Sequence, residues 1–165
     1  MGTSVSIKTR EGTFTAFFSD RGLARLDFPG QHGAEKLSAR NDPSDSPELH
    51  RWQKLTAQAL EQVLAGRRPK ALPPLDWSGH TGFQQQVWRA LLSLGPGETK
   101  TYAQIAAELG KPRAARATGG ACGANPIPVL VPCHRVLAAK GRLGGFSGGL
   151  DWKRRLLAAE GVSAK

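Results

Sequence analysis

Thr101-Tyr102-Ala103-Gln104-Ile105-Ala106-Ala107-Glu108-Leu109-Gly110-Lys111-Pro112-Arg113-Ala114-Ala115-Arg116-Ala117-Thr118-Gly119-Gly120-Ala121 is the stretch on which the fold turns. Thr101 and Gln104 have the T-x-x-Q spacing of a capping box, in which each side chain satisfies a free backbone N–H of the other. They open a short helix over residues 102–109, and Gly110 stops it. Pro112 suits the start of a second helix running to about Gly123. Two short helices around a tight glycine turn form the helix-turn-helix pattern. The second helix is mostly Ala and Gly. A helix that reads base sequence needs Asn, Gln, Arg or Lys reaching base edges, and only Arg113 and Arg116 qualify here. Small residues allow close backbone approach. The helix therefore suits sequence-independent contact with a groove, with Arg116 as the probing side chain, or equally a tight helix–helix contact.

Upstream of this unit, Phe83, Val87, Ala90, Leu91 and Leu94 share one face of an amphipathic helix that Gly95-Pro96-Gly97 ends. Further back, Val5 and Ile7, then Phe14, Ala16 and Phe18, then Leu26 and Phe28 recur with period two, as in short strands of a small antiparallel sheet. Glu11-Gly12 and Arg21-Gly22 supply the turns. Residues 29–46 are polar and read as a loop suited to mobility. Ser46-Pro47 is a helix start, with Leu49, Trp52, Ala59, Leu60, Val63 and Leu64 on its apolar face and Gly66 at its end. Arg67 to Pro74 reads as a linker. The fold expected is an α/β lobe over residues 1–76, a small antiparallel sheet plus helix, joined to a mainly α lobe over residues 77–165. Downstream, Asn125-Pro126 closes the helix-turn-helix. Val129 to Val131 reads as a buried extended segment, and the glycine-rich run from Lys140 to Gly149 as a flexible wing. Asp151 is placed to cap a last helix with Trp152, Leu156 and Leu157 inward.

A chain of 165 residues has room for two such lobes around a shared interface. Residues 1–75 carry 11 basic and 8 acidic side chains, net +3; residues 76–165 carry 12 and 5, net +7. A small basic C-terminal half fits a polyanion, most simply nucleic acid, although a merely soluble basic protein would show the same charge. No run of apolar residues is long enough to span a membrane. The first ten residues lack an apolar signal region, so a cytoplasmic protein is expected; a monomer is expected as well. Cys122 and Cys133 are too few for a disulfide scaffold, and with no CxxC among them no metal site is expected.

Val131-Pro132-Cys133-His134-Arg135-Val136 carries the chemistry. A lone Cys is more often a small buried hydrophobe than a nucleophile. Here Pro precedes it and two cationic candidates follow, and His134 and Arg135 can favour the thiolate. Neighbours in a strand or helix do not face each other, so a tight turn or a water must connect His134 to the sulfur. A carboxylate would orient the ring, and residues 76–165 offer only Asp76, Glu98, Glu108, Asp151 and Glu160.

Pro132-Cys133-His134-Arg135-Val136, preceded by Arg116-Ala117-Thr118-Gly119-Gly120-Ala121 and Asn125-Pro126-Ile127-Pro128, resembles the O6-alkylguanine-DNA alkyltransferases, also called methylated-DNA–protein-cysteine methyltransferases. Gly97-Glu98-Thr99-Lys100-Thr101-Tyr102, Phe146-Ser147-Gly148-Gly149-Leu150 and Leu156-Leu157-Ala158-Ala159-Glu160-Gly161 fit the same pattern, in order, from about Phe83 to Gly161. The resemblance implies a ribonuclease-H-like N-terminal lobe and a winged-helix-like C-terminal lobe. It implies a suicide enzyme of DNA repair, without cofactor, that moves an alkyl group from O6-alkylguanine to Cys133, with O4-alkylthymine as a second candidate substrate. Double-stranded DNA would be the partner, bound without regard to sequence, with the damaged guanine flipped out. By position, His134 would be the base acting through a water, Glu160 its hydrogen-bond partner, and Asn125 the brace of the turn. Tyr102 would crowd the phosphate and protonate the leaving guanine, and Arg116 would fill the gap in the stack. Arg113, Ala115, Thr118 and Gly119 would face DNA. The carbonyls of Cys133 and Val136, with Arg135, Phe146, Ser147 and Gly148, would surround the base. Phe146 stands where some members have Tyr. Two other functions remain open on the sequence: a binder that senses lesions or regulates without using Cys133, and a redox sensor with Cys122 as the resolving thiol.

Overall fold

The computed structural model describes residues 2–31 and 46–164. Three strands, β1 (Thr3–Thr9), β2 (Gly12–Phe18) and β3 (Leu23–Asp27), form an antiparallel meander in the order β1-β2-β3. Ile7, Phe14, Ala16, Phe18, Leu23 and Leu26 are buried, as the two-residue alternation requires of a sheet with one covered face. Helix α1 (Pro47–Leu64) covers that face with Trp52, Thr56, Ala59, Leu60, Val63 and Leu64. Ser46 caps it, its Oγ accepting from Leu49 N at 3.1 Å, and Pro47 occupies the first turn. Gly66, at φ +73°, ends it; a Cβ there would lie 2.0 Å from the carbonyl oxygen of Ala159, so the chain can pass under the last helix only with glycine. The expected 29–46 loop lies, apart from its ends, outside the described residues.

The 67–74 linker runs back beside the sheet. Leu23 N donates to Pro74 O at 2.8 Å and Asp76 N to Leu23 O at 2.8 Å. The buried hydrophobic cluster is continuous across this point, running from the sheet and α1 into Val87, Trp88, Leu91, Ile105, Val131 and Cys133.

The second half holds helices α2 (Gly82–Leu92), α3 (Tyr102–Glu108), α4 (Ala115–Gly123) and α5 (Leu150–Ala159). The Thr101–Gln104 capping box forms at both of its bonds, 2.8 and 3.2 Å. Thr81 and Gln84 form a second box ahead of α2, unnoticed in the sequence. Three local expectations are corrected. Helix α4 begins at Ala115 rather than Pro112, because residues 112–114 form a turn, with Ala114 N bonded to Lys111 O. Val129 to Val131 is buried but not extended: Val129 sits at φ +73° in a tight turn that returns Val131 N to Ile127 O. Asp151 does not cap α5; the helix starts at Leu150 after Gly149, and Asp151 lies in its first turn. Beside its helices the half holds a short pair of strands. Lys100–Thr101 (β4) pairs in parallel with Val136–Leu137 (β5), which brings the entry of α3 against the segment that follows Cys133.

Candidate functional site

Cys133, His134 and Arg135 form a single 3-10 turn between Pro132 and β5. Cys133 N donates to Val131 O at 2.8 Å and Arg135 N to Pro132 O at 3.1 Å. A turn this tight is one of the two geometries that bring neighbouring Cys and His side chains into one environment. Asn125 braces it, as the family resemblance implies. Its Nδ2 donates to Val131 O at 2.9 Å and its Oδ1 accepts from Ile127 N at 3.0 Å, closing the loop from α4 to the turn.

His134 is fully buried. Its Nε2 lies 3.0 Å from Oε1 of Glu160, at the end of α5. Burial pushes the Glu160 carboxyl up, but hydrogen bonds from His134, Arg135 and Gly97 N outweigh it and bring the group down to about 2. The carboxylate is therefore ionised and can only accept. It follows that His134 carries its proton on Nε2. Burial also pushes the imidazole below its ordinary 6.5, so the ring is neutral near neutral pH, with the free lone pair on Nδ1. That Nδ1 is buried and has no hydrogen-bond partner. A neutral imidazole with one nitrogen anchored and the other free is equipped to accept a proton.

The Cys133 thiol departs from expectation. Burial pushes it up to about 11, against the weaker opposing pull of a hydrogen bond from Asn125 and of the Lys153 charge. Arg135 does not help it. The guanidinium turns inward, donating to Leu94 O at 2.6 Å and to Glu160 Oε1 at 2.7 Å. The expected cationic neighbour is thus committed to Glu160, and the thiol stays protonated at neutral pH. Any nucleophilic reaction must remove its proton as it proceeds.

A cavity of about 450 Å3 opens beside Cys133, within the range of small-molecule sites, ~300–1,000 Å3. Tyr102 of α3, Gly119, Cys122 and Gly123 of α4, and Gly145, Phe146 and Ser147 of the glycine-rich segment line it. Tyr102 is half-buried, and burial raises its phenol, which keeps the proton on. Arg116 is exposed one and two turns before Gly119 and Gly123, on the helix face that lines the cavity. Arg113 is exposed in the turn before α4, Ala115 is half-buried, and Gly148 lies half-buried beyond Ser147. One expected contact residue is elsewhere: Thr118 is fully buried on the opposite face of α4. The Val136 carbonyl accepts from Lys153 Nζ at 2.8 Å, which leaves it a second lone pair. The Cys133 carbonyl likewise accepts from Val136 N.

Lys153 was missed in the sequence. It is fully buried in α5, and its ammonium donates to the carbonyls of Val136, Leu143 and Gly145. Its spacing from Leu156 and Leu157, three and four residues, puts it on the apolar stripe of the helix. A charged residue on that stripe is a signal that could have been read. Cys122, buried in the cavity wall, has its thiol pushed up to about 12 by burial.

The model for "6-O-methylguanine DNA methyltransferase, DNA binding domain" matches residues 82–162. A methylated-DNA–protein-cysteine methyltransferase of Methanosarcina barkeri is 39% identical over 142 residues, 86% of each chain. One of Mycobacterium tuberculosis is 50% identical over 101 residues, and the match spans 61% of each chain. The crystal structure of Mycobacterium tuberculosis O6-methylguanine methyltransferase superposes with a TM-score of 0.75 at 36% identity, over 97% of this chain and 93% of that one. Mycobacterium tuberculosis OGT in complex with DNA superposes at 0.72 with 37% identity, over 94% and 90%.

Proposed function

The chain belongs to the methylated-DNA–protein-cysteine methyltransferase family, and from that premise we propose that it repairs DNA by taking an alkyl group from O6 of guanine onto Sγ of Cys133, once per molecule. The observation that carries this reading is a cavity whose wall includes Cys133, the residue directly before a carboxylate-anchored imidazole. An O6-alkyl carbon is hidden inside the duplex, so the damaged guanine has to leave the stack to reach such a cavity. The exposed Arg113 and Arg116 and the small residues of α4 support backbone contact with duplex DNA, with Arg116 filling the space the base vacates.

In the reaction the thiol proton passes through a water to Nδ1 of His134, and Glu160 stabilises the imidazolium that results. The S–C bond forms as the C–O6 bond breaks, and the electron pair stays on guanine. Tyr102, held protonated by burial, supplies the proton guanine needs and recovers one from the relay. The thiol thus loses one proton and guanine gains one. The thioether has no easy route back, so the protein is a reagent used once. We assign Phe146, Ser147 and Gly148 to the base. Residues 1–76 are read as a ribonuclease-H-like lobe, on the support of a three-strand meander followed by α1. Residues 77–165 are read as a winged-helix-like lobe, on the support of α3, α4 and the glycine-rich segment after β5. The two free thiols fit a reducing cytoplasm.

The test is intact-protein mass after incubation with excess O6-methylguanine duplex. One methyl per molecule, mapped to Cys133, is expected. No gain leaves a lesion binder, a Cys122–Cys133 disulfide leaves a redox sensor, and repair of more than one O6-methylguanine in the duplex per protein overturns the single-use reading.

A further inference from the structure

The base-facing loop Phe146–Gly148 is held from the other half of the chain. Gln31, just beyond β3, donates from Nε2 to the Ser147 carbonyl at 2.9 Å. Its Oε1 accepts from Phe28 N at 3.2 Å, and its own N–H donates to Phe28 O at 3.3 Å, so its side chain is locked to the strand exit at both ends. Phe28 completes the grip. Its ring meets Phe146 edge-on, with centroids 5.6 Å apart, and lies against Trp152 at 5.0 Å. At Gly148 the ring comes so close that a Cβ would stand 2.6 Å from it. The same strand reaches the other flank of the site, where Leu26 N donates to Pro126 O at 2.9 Å, next to the bracing Asn125.

We propose that Phe28 and Gln31 are positioning residues that set the Phe146–Gly148 loop for base binding, so that the N-terminal sheet tunes substrate affinity in a cavity it does not line. The inference rests on the assignment of that cavity to alkylguanine. A loop rich in glycine loses much conformational freedom when ordered, and an external donor reduces the share of that cost left for the substrate to meet. The effect belongs in substrate binding and not in the thiol's intrinsic reactivity, because the hydrogen bonds of Gln31 and the ring contacts of Phe28 run to the loop, to Trp152 and to the sheet.

Gln31→Glu removes only the donor and keeps the acceptor for Phe28 N; Gln31→Leu removes both without adding charge. The rate of Cys133 alkylation by O6-benzylguanine as free base is measured against its concentration, with iodoacetamide as a small thiol reagent in parallel. Losing one hydrogen bond is worth about 0.5–1.5 kcal/mol, about a two- to tenfold rise in the half-saturating concentration. Both variants are expected to show that rise with the maximal rate and the iodoacetamide rate held near parent values. Parent-like half-saturation in both variants overturns the positioning role, as does an equal loss with iodoacetamide. A parent protein that takes no alkyl group from the base or from methylated duplex overturns the cavity assignment, and this inference with it.

Discussion

His134 and Glu160, 26 residues apart in sequence, meet Nε2 to Oε1 at 3.0 Å with neither side chain exposed. The pairing fixes which imidazole nitrogen is free and keeps the carboxylate ionised. Glu160→Gln weakens the hold on the imidazolium that forms as Cys133 loses its proton. The pH at which Cys133 reacts with a small thiol reagent should therefore rise in the variant. Superimposable pH profiles for parent and variant would exclude Glu160 from the relay.

The same pair makes the fold acid-sensitive. Glu160 titrates near 2 when folded against an ordinary 4.5. The unfolded chain therefore takes up that proton first, and stability falls as pH drops from about 5 towards 2. His134, pushed below 6.5 by burial, acts in the same direction from about pH 6.5 down. Cys133, raised from 9.0 to about 11, acts at the other end, where the unfolded thiol ionises first as pH climbs above 9. Thermal unfolding should show a plateau between these limits. Glu160→Gln should lower it at pH 7 by about 3–5 kcal/mol, because Arg135 loses its buried partner, and the difference should shrink below pH 4.5. A gap that stays constant down to pH 3 would contradict the assignment.

Lys153 is the buried cation that pulls the Cys133 thiol down against burial, and it also ties Val136 to the Leu143–Gly145 segment. Lys153→Met should push the thiol still higher, moving the pH profile of Cys133 alkylation upward. It should also speed amide hydrogen exchange across residues 143–149, where two of the carbonyl ties are lost. Unchanged exchange in that segment would show that the ammonium does not hold it.

Arg116 is exposed on the cavity face of α4, outside the reacting set. Holding an extruded base matters only for a duplex, where unstacking costs about a few kcal/mol. Arg116→Ala should slow single-turnover alkyl transfer from duplex by about tenfold or more and leave transfer from the free base near the parent rate. Equal slowing on both substrates would rule out a role in extrusion.

Much of this was legible in the sequence because it is local. The Thr101–Gln104 box, the Ser46 cap and the period-two strands are settled by residues within a few positions of one another. The reach of Glu160 to His134 entered only through the family resemblance, since nothing in the spacing selects one acid among five. Other features exist only once distant segments are packed. Arg135 sits in a basic motif, yet it turns inward because Glu160 and the Leu94 carbonyl satisfy it there. Thr118 belongs to the helix facing DNA by sequence, but the register of α4 against α2, fixed by Trp88 Nε1 donating to Ala121 O at 2.8 Å, buries it. The thiol's pKa was misjudged for the same reason: charge is written in the sequence, while desolvation depends on what covers the group after folding. Hydrogen-bond propensity and apolar periodicity are properties of the chain. Which charges meet, and which lose their water, is decided by the tertiary structure.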